Sequence, residues 1–287
     1  MADYELGENR YGKSRIRLVT IRRAGERHDL RDLTVDVSLE GDFEAAHVSG
    51  DNANLVATDT MKNTVYAFAK DRLTGSPEAF GLELARHFGA GPQVARATIS
   101  LREHAWSRIE VDGRPAPDAF LRSGAAARTA IVSVARDRPA VEAGIEDLTV
   151  LKTTRSAFSG FERDRYTTLA DTDDRIMATK ITATWGYGQA ALAGDIDFDA
   201  AHAALTERLL ATLAEHHSPS VQASIWTMSS AMLDAEPAID WVRMVLPNLH
   251  HWRVDLEPFG LDNPGEIFVS TTEPHGLIDA TVRRRGP

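Results

Sequence analysis

A chain of 287 residues, with 32 Lys and Arg against 42 Asp and Glu, a net charge of −10 with histidine neutral, and no cysteine, is long enough for one large domain or two medium ones. The lack of cysteine excludes disulfides, thiolate zinc sites, iron–sulfur clusters and a cysteine nucleophile, and the acidic balance argues against a nucleic-acid partner, whose phosphates require a basic surface. The start is polar, no apolar run reaches membrane-spanning length and the Arg-Arg-Arg-Gly-Pro end is no peroxisomal address, so a cytoplasmic protein without membrane contact is expected.

In chain order, Ile16, Leu18 and Thr20 alternate with Arg15, Arg17 and Val19, the period of a strand. Leu33, Val35, Val37 and Leu39 alternate with Thr34, Asp36 and Ser38 more cleanly. The polar turn Arg22-Arg23-Ala24-Gly25-Glu26-Arg27 between them predicts a hairpin with one apolar face. Antiparallel pairing follows, because a parallel pair needs a longer crossover. The stretch ATDTMKNTVYAFAKD, from Ala57 to Asp71, then sets Thr58, Asp59, Thr60 and Lys62 ahead of Val65-Tyr66-Ala67-Phe68-Ala69, an apolar run that reads as buried. A capped helix explains that order, and so does a site. Ser76 as cap, Pro77 at the first helical position and Glu78 at the positive end start a helix. Phe80, Leu84 and Phe88 share one face of it, and Gly89 and Gly91-Pro92 stop it. Strands are expected to resume over 97–111 and 128–135.

The second half repeats this plan. Strands are expected over 148–153 and 176–184, followed by a long helix capped by Asp197 or Asp199 with Ala201, Leu205, Leu209 and Leu213 on its core face. Ser218-Pro219 ends it, and His216-His217 at its close suits the negative helix end when protonated. Val221 to Met228 alternates as a strand, a shorter helix runs from Ser230 to Glu236, and strands follow at 241–246, 250–256 and near Ile267 and Ile278. Strands, helix, strands thus occurs twice, which predicts two α+β halves, 1–140 and 141–287, packed without a flexible linker.

Several familiar chemistries are missing. There is no Gly-x-Ser-x-Gly elbow and no P-loop. GYGQAALAG, from Gly186 to Gly194, has the wrong glycine spacing for a dinucleotide and reads as a loop. Asp171, Asp173 and Asp174 lack a calcium-type ligand ladder and read as a solvated loop. His250 and His251 point to opposite faces of a strand and cannot share one ion, so no metal site is expected. Asn248 and His250, two apart in LPNLHHW, project together if extended. An amide beside an imidazole can orient a polar ligand or move a proton, although such a pair also serves as ordinary hydrogen-bonded structure.

Seven segments in order, YGKSRIRL at Tyr11, ATDTMKNTVYAFAK at Ala57, TVLKTTRSAFSGFERDRYTTL at Thr149, DDRIMAT at Asp173, HSPSVQASIW at His217, LPNLHHWRVDL at Leu246 and GLIDATV at Gly276, resemble the urate oxidase (uricase) family over nearly the whole chain. The resemblance implies a tandem T-fold, or tunnelling fold: two antiparallel-sheet-plus-helix halves per chain, with four chains assembling around a barrel-like tunnel. It implies oxidation of urate by O₂ and water to 5-hydroxyisourate and hydrogen peroxide, without metal or organic cofactor. Carried over residue by residue, Arg175 grips one edge of urate, Gln222 the opposite edge, the Val221 N–H adds a donor and Phe158 stacks on the purine. Thr58 and Asn248 flank the O₂ or water pocket, the backbone at Thr58 and Asp59 binds the five-membered ring, and Lys13, Thr58 and His250 form a proton relay. The family builds each site from two subunits of a homotetramer, Lys and Thr from one and Arg, Gln, Asn and His from its neighbour. Leu249 stands where the family commonly has Lys, and in a strand it points away from Asn248 and His250. The rival readings are another heterocycle enzyme of the same fold, disfavoured where such enzymes need a zinc-binding cysteine, and a purine binder without turnover.

Overall fold

The computed structural model describes residues 4–285, so residues 1–3 and 286–287 of the two chain ends read above lie outside the described residues. The fold is α+β, and its elements group into two compact units, one of residues 4–144 with 186–202, the other of 145–185 with 203–285.

The first unit opens with the expected hairpin, β1 (Tyr11–Ala24) and β2 (Arg27–Gly41), joined by Gly25 and Glu26 and paired antiparallel. Gly25 has φ +70°, which a glycine adopts without steric cost. Then follow β3 (Val94–Val111), β4 (Arg114–Ala135) and the start of β5 (Arg138–Lys152), each hydrogen-bonded to the strand before it. The apolar alternants Ile16, Leu18, Leu33, Val35, Val37 and Leu39 are all buried, with Ile99, Leu101, Ala130 and Val132 beside them. Helices α2 (Thr58–Arg72) and α3 (Pro77–Gly89) cover this face, after a short α1 (Glu44–Val48). Ser76 caps α3 as expected, its hydroxyl accepting the Ala79 N–H at 3.1 Å. Gly81 permits the close seating of α3, since a Cβ there would lie 2.8 Å from Val132 Cγ2 and 2.9 Å from Leu101 Cδ1. The run from Val65 to Ala69 is buried only in part. A helix turns one stripe to the sheet, so Met61, Val65 and Ala69 go in while Tyr66 and Ala67 stay exposed.

The second unit contains the end of β5, then most of β6 (Met177–Tyr187), β7 (Ile239–Arg253) and β8 (Phe268–Arg283), again neighbours in chain order. Between β6 and β7 the chain forms a short α4 (Gln189–Leu192), which with the start of α5 (Phe198–Glu215) belongs to the first unit, and then the rest of α5 and α6 (Val221–Ala235) in the second. Three sequence expectations fail here. The expected strand from Val221 to Met228 is the start of α6. Ser220 caps it by accepting the Ala223 N–H at 3.1 Å, and Val221, Ile225, Met228 and Met232 are buried at helical spacing; eight residues of mixed polarity fit either period. The pairs of strands expected at 241–256 and near 267–278 are single long strands, because pairing continues past the local breaks. Nor is the carbonyl end of α5 left to the histidines. Lys152 donates to the carbonyls of Leu213 and His216, Arg155 to those of Ala214 and Glu215, and burial beside Lys152 holds His216 below its ordinary pKa. At the other end of α5, Asp197 is the cap, accepting the Ala200 N–H at 3.0 Å.

His202, 3.3 Å from the Gly144 carbonyl oxygen through Nε2, is pushed down to about 4 by burial and by Arg128 nearby. Its folded value lies below the unfolded 6.5, so between the two only the unfolded chain binds the proton. The stabilisation is whole above pH 6.5 and drains away towards pH 4, by up to about 3 kcal/mol at ~1.4 kcal/mol per unit. Thermal midpoints measured from pH 7 to 4.5 are expected to fall less steeply for His202→Gln than for the wild type. Equal slopes would remove His202 from the acid response.

Candidate active site

After β5, residues 153–176 form a segment pinned to the end of α5 and to itself. Ala157 N–H donates to Ser218 O at 2.7 Å and Ser218 N–H to Arg155 O at 2.9 Å. Phe158 and Thr172 exchange both backbone hydrogen bonds, at 2.8 and 3.0 Å, and Arg175 N–H donates to Ser156 O at 2.7 Å. The acidic cluster holds this segment together. Asp174 accepts the Thr154 hydroxyl at 2.6 Å, which keeps its carboxyl below the ordinary range, and Asp171 accepts the Gly160 N–H and pairs with Arg163 at 3.1 Å. These ties fix Phe158 and Arg175 beside the first turn of α6, whose leading N–H groups, at Val221 and Gln222, have no intrahelical acceptor.

The result is an open cavity of about 850 Å³ whose lining includes Phe158, Arg175, Val221, Gln222, Asn248 and His250. Six residues from four separate parts of the chain thus meet in one place. The Phe158 ring stacks on Phe161 at 5.0 Å, and the Arg175 guanidinium carbon sits 5.3 Å from its centroid. Burial lowers the Arg175 pKa, and its Nε is buried without a hydrogen-bond partner among the described residues. An unpaired buried donor costs about 1–3 kcal/mol, so this guanidinium invites an acceptor. His250 stacks on Trp252 at 5.2 Å, and burial, then Arg175 and His275, hold its imidazole below the ordinary range, towards the neutral form that can take a proton.

Strict alternation does not hold along β7 at this point. The pairing with β8 shifts between Asn248 and His250, and Leu249 and His251 line the cavity together with Asn248 and His250. A bulge re-aims side chains in this way, so Leu249 does not point clear of its neighbours as a regular strand predicts.

Lys13, Thr58 and Asp59 lie in the first unit. Lys13 precedes a bulge in β1, where the register with β2 slips between Lys13 and Ile16 and Arg15 takes φ +58° while its N–H donates to Asp36 at 2.5 Å. Thr58 opens α2 behind Ala57, which supplies no side-chain cap, so the helix begins without the threonine or aspartate cap that the sequence suggests. Asp59 instead binds Lys62 and accepts from Asn63 at 3.0 Å. The hydrogen bond from Lys62 chiefly, and more weakly the charge of Lys13, hold its carboxyl below the ordinary range. Lys62 is thereby Asp59's ion-pair partner. Sequence reasoning missed the part of Trp252, whose stacking on His250 was signalled only by their spacing of two along a strand. Among the described residues no three His, Asp or Glu cluster as metal ligands, and no helix is long and apolar enough to cross a membrane.

The uricase family model matches residues 9–133 and 141–279. A uricase of Arthrobacter globiformis is 46% identical over 282 residues, covering 98% of this chain and 90% of the relative. That of Aspergillus flavus is 36% identical, covering 96% and 95%. The crystal structure of uricase from Arthrobacter globiformis superposes with a TM-score of 0.93 at 45% identity, over 100% of this chain and 97% of that one. The uricase structure from Bacillus fastidious, at 23% identity, shares the fold with a TM-score of 0.81. With a family match over most of its length and relatives of this identity at near-complete coverage, the chain belongs to the uricase family.

Proposed function

We propose that this protein is a urate oxidase, which converts urate, O₂ and water into 5-hydroxyisourate and hydrogen peroxide as a step of purine degradation, with no metal or organic cofactor. The observation that carries the reading is the meeting of Phe158, Arg175, Val221, Gln222, Asn248 and His250 around one cavity, joined to membership of the family. The Arg175 fork meets adjacent oxygen and nitrogen acceptors of a urate anion through charge-assisted hydrogen bonds of roughly 1.5–3 kcal/mol each. The Gln222 amide donates and accepts at the opposite edge, the Val221 N–H adds a donor, and Phe158 carries the ring face at roughly 1–3 kcal/mol.

Urate itself is the reductant once deprotonated, and O₂ accepts its electrons. The protein's work is to hold the anion flat, to place O₂ or water between Thr58 and Asn248, and to move protons through Lys13, Thr58 and His250. The backbone at Thr58 and Asp59 receives the five-membered ring. In this reading the halves 1–140 and 141–287 are tandem T-fold repeats. Four chains close a tunnel, each site takes Lys13 and Thr58 from one protomer and Arg175, Gln222, Asn248 and His250 from another, and the enzyme works in the cytoplasm.

Following the ultraviolet absorbance of urate, with peroxide measured alongside and a chelator present throughout, tests the proposal. Loss of urate with one peroxide formed per urate is the expected outcome. Retained binding without turnover would make the protein a purine binder. Stoichiometric metal whose removal abolishes turnover would refute the cofactor-free reaction.

A further inference from the structure

In the first unit, α2 carries Thr58 and Asp59 in its opening turn but starts without a capping side chain, because Ala57 stands at the cap. A capping side chain would take up the N–H of the second or third helical residue, here Asp59 or Thr60. With alanine there, these leading N–H groups are left for another acceptor, and the start of the helix has to be fixed from outside. A tyrosine does this. Val56, the residue before the cap, donates its N–H to the Tyr11 hydroxyl at 2.7 Å. The Tyr11 ring is partly buried and meets the buried Phe43 edge to face, with centroids 4.8 Å apart and planes at 85°. Burial raises the Tyr11 phenol above its ordinary pKa, against a smaller pull from the Val56 bond, so the hydroxyl is neutral at working pH.

Tyr11 opens β1 two residues before Lys13, and Tyr11, Gly12 and Lys13 pair in turn with Leu39, Ser38 and Val37 of β2. The strands lie close here, since a Cβ on Gly12 would fall 1.8 Å from the Val37 carbonyl oxygen. The strand that bears Lys13 is therefore a firm base, and the tyrosine hydroxyl ties to it the chain that leads into Thr58. Helix α2 packs on β1, and the charge of Lys13 reaches Asp59. We propose that Tyr11 is a positioning residue of the reaction, its hydroxyl setting the start of α2, and with it the Thr58 hydroxyl, against the strand that carries Lys13. The inference rests on the proposed urate oxidation, in which Lys13 and Thr58 share the proton relay and the backbone at Thr58 and Asp59 receives the five-membered ring. One hydrogen bond thus takes over the fixing that a cap would give and leaves the helix start free for the substrate.

The test uses Tyr11→Phe in the full-length protein, which loses the hydroxyl alone. The variant is expected to fold, because its ring still packs on Phe43 and Asn54 still donates to Asp42 at 3.2 Å from the same connection; thermal midpoint and assembled size check this. Hydrogen–deuterium exchange over residues 50–60 reads the tie without any substrate, and the protection of the Val56 amide is expected to be lost. Turnover, kcat, is expected to fall about tenfold, within the ~10²-fold that a misplacement of ~1 Å can cost, while affinity for a xanthine-type inhibitor, held chiefly by Phe158, Arg175 and Gln222, changes less than about threefold. In Thr58→Ala chains the same substitution is expected to add no further loss, because the group it positions is gone. A merely structural role would lower the thermal midpoint and spare kcat, or cost the same factor with and without the Thr58 hydroxyl, and either result would overturn the proposal. Unchanged exchange over residues 50–60, or inhibitor affinity falling as far as kcat, would overturn it too. Ordinary urate turnover by both the wild type and Tyr11→Phe would reject the role of Tyr11 alone. Loss of protection in a protein that consumes no urate would reject the assigned reaction, and the positioning role with it, while the tie itself stands.

Discussion

Chains carrying Lys13→Ala and chains carrying His250→Ala, each nearly inactive alone, are expected to recover about a quarter of wild-type activity when co-expressed in equal amounts. Each substitution removes one member of the proposed proton relay, and positioned acid–base groups contribute roughly 10²–10⁴-fold. If the two residues that serve one urate come from different protomers, a site is intact when its lysine comes from the His250→Ala chain and its histidine from the Lys13→Ala chain. Random assembly gives each condition a chance of one half, hence a quarter of sites for both. Recovery is expected only when subunits mix during folding, not when finished oligomers are combined. If every chain carried its own complete site, no mixture could restore one. Mixed enzyme no more active than the single variants would therefore reject the shared site, even with urate oxidation established.

The second large effect concerns stability. Glu78, fully buried in the first turn of α3, receives Arg128 Nε at 3.1 Å and a terminal nitrogen at 2.6 Å on its two oxygens. Arg128 also binds Asp199 at 2.5 Å and the Phe198 carbonyl at 3.1 Å. Burial pushes the Glu78 carboxyl up against the pull of Arg128. Burial also depresses Arg128, but Glu78 and Asp199 more than offset this and leave it raised. The two-pronged geometry is that of an ionised pair. Removing one partner strands the other charge, so Arg128→Met is expected to cost about 3–5 kcal/mol of unfolding free energy. The double variant Glu78→Met, Arg128→Met is expected to regain most of it, because the apolar pair needs no compensation. The deficit of the single variant narrows on acidification, since a stranded Glu78 is relieved by taking a proton. Chemical denaturation at pH 7 decides the matter. A loss below about 1 kcal/mol for Arg128→Met would show the pair to be no better than a surface bridge.

Sequence pattern alone determined the hairpin of β1 and β2, helix α3 and the α+β class, because each rests on local signals. Ile16 to Leu39 alternate with the pleat, and Ser76, Pro77 and Glu78 write out a helix start within three residues. Pattern singled out Asn248 and His250, although the bulge between them breaks the alternation on which their shared face was expected, and resemblance supplied the candidate roles of Lys13, Thr58, Phe158, Arg175 and Gln222. Tertiary structure decided what local pattern leaves degenerate. Val221 to Met228 fits two periods, and the buried stripe of Val221, Ile225, Met228 and Met232 selects the helix, which sets the Val221 and Gln222 N–H groups at a helix start. The adjoining cavity depends on contacts between residues as far apart as Arg155 and Ser218, which no window of sequence contains. The four residues of β8, Thr272 to His275, that stand against Leu249 exist only in the register between two strands, which no single stretch of sequence shows.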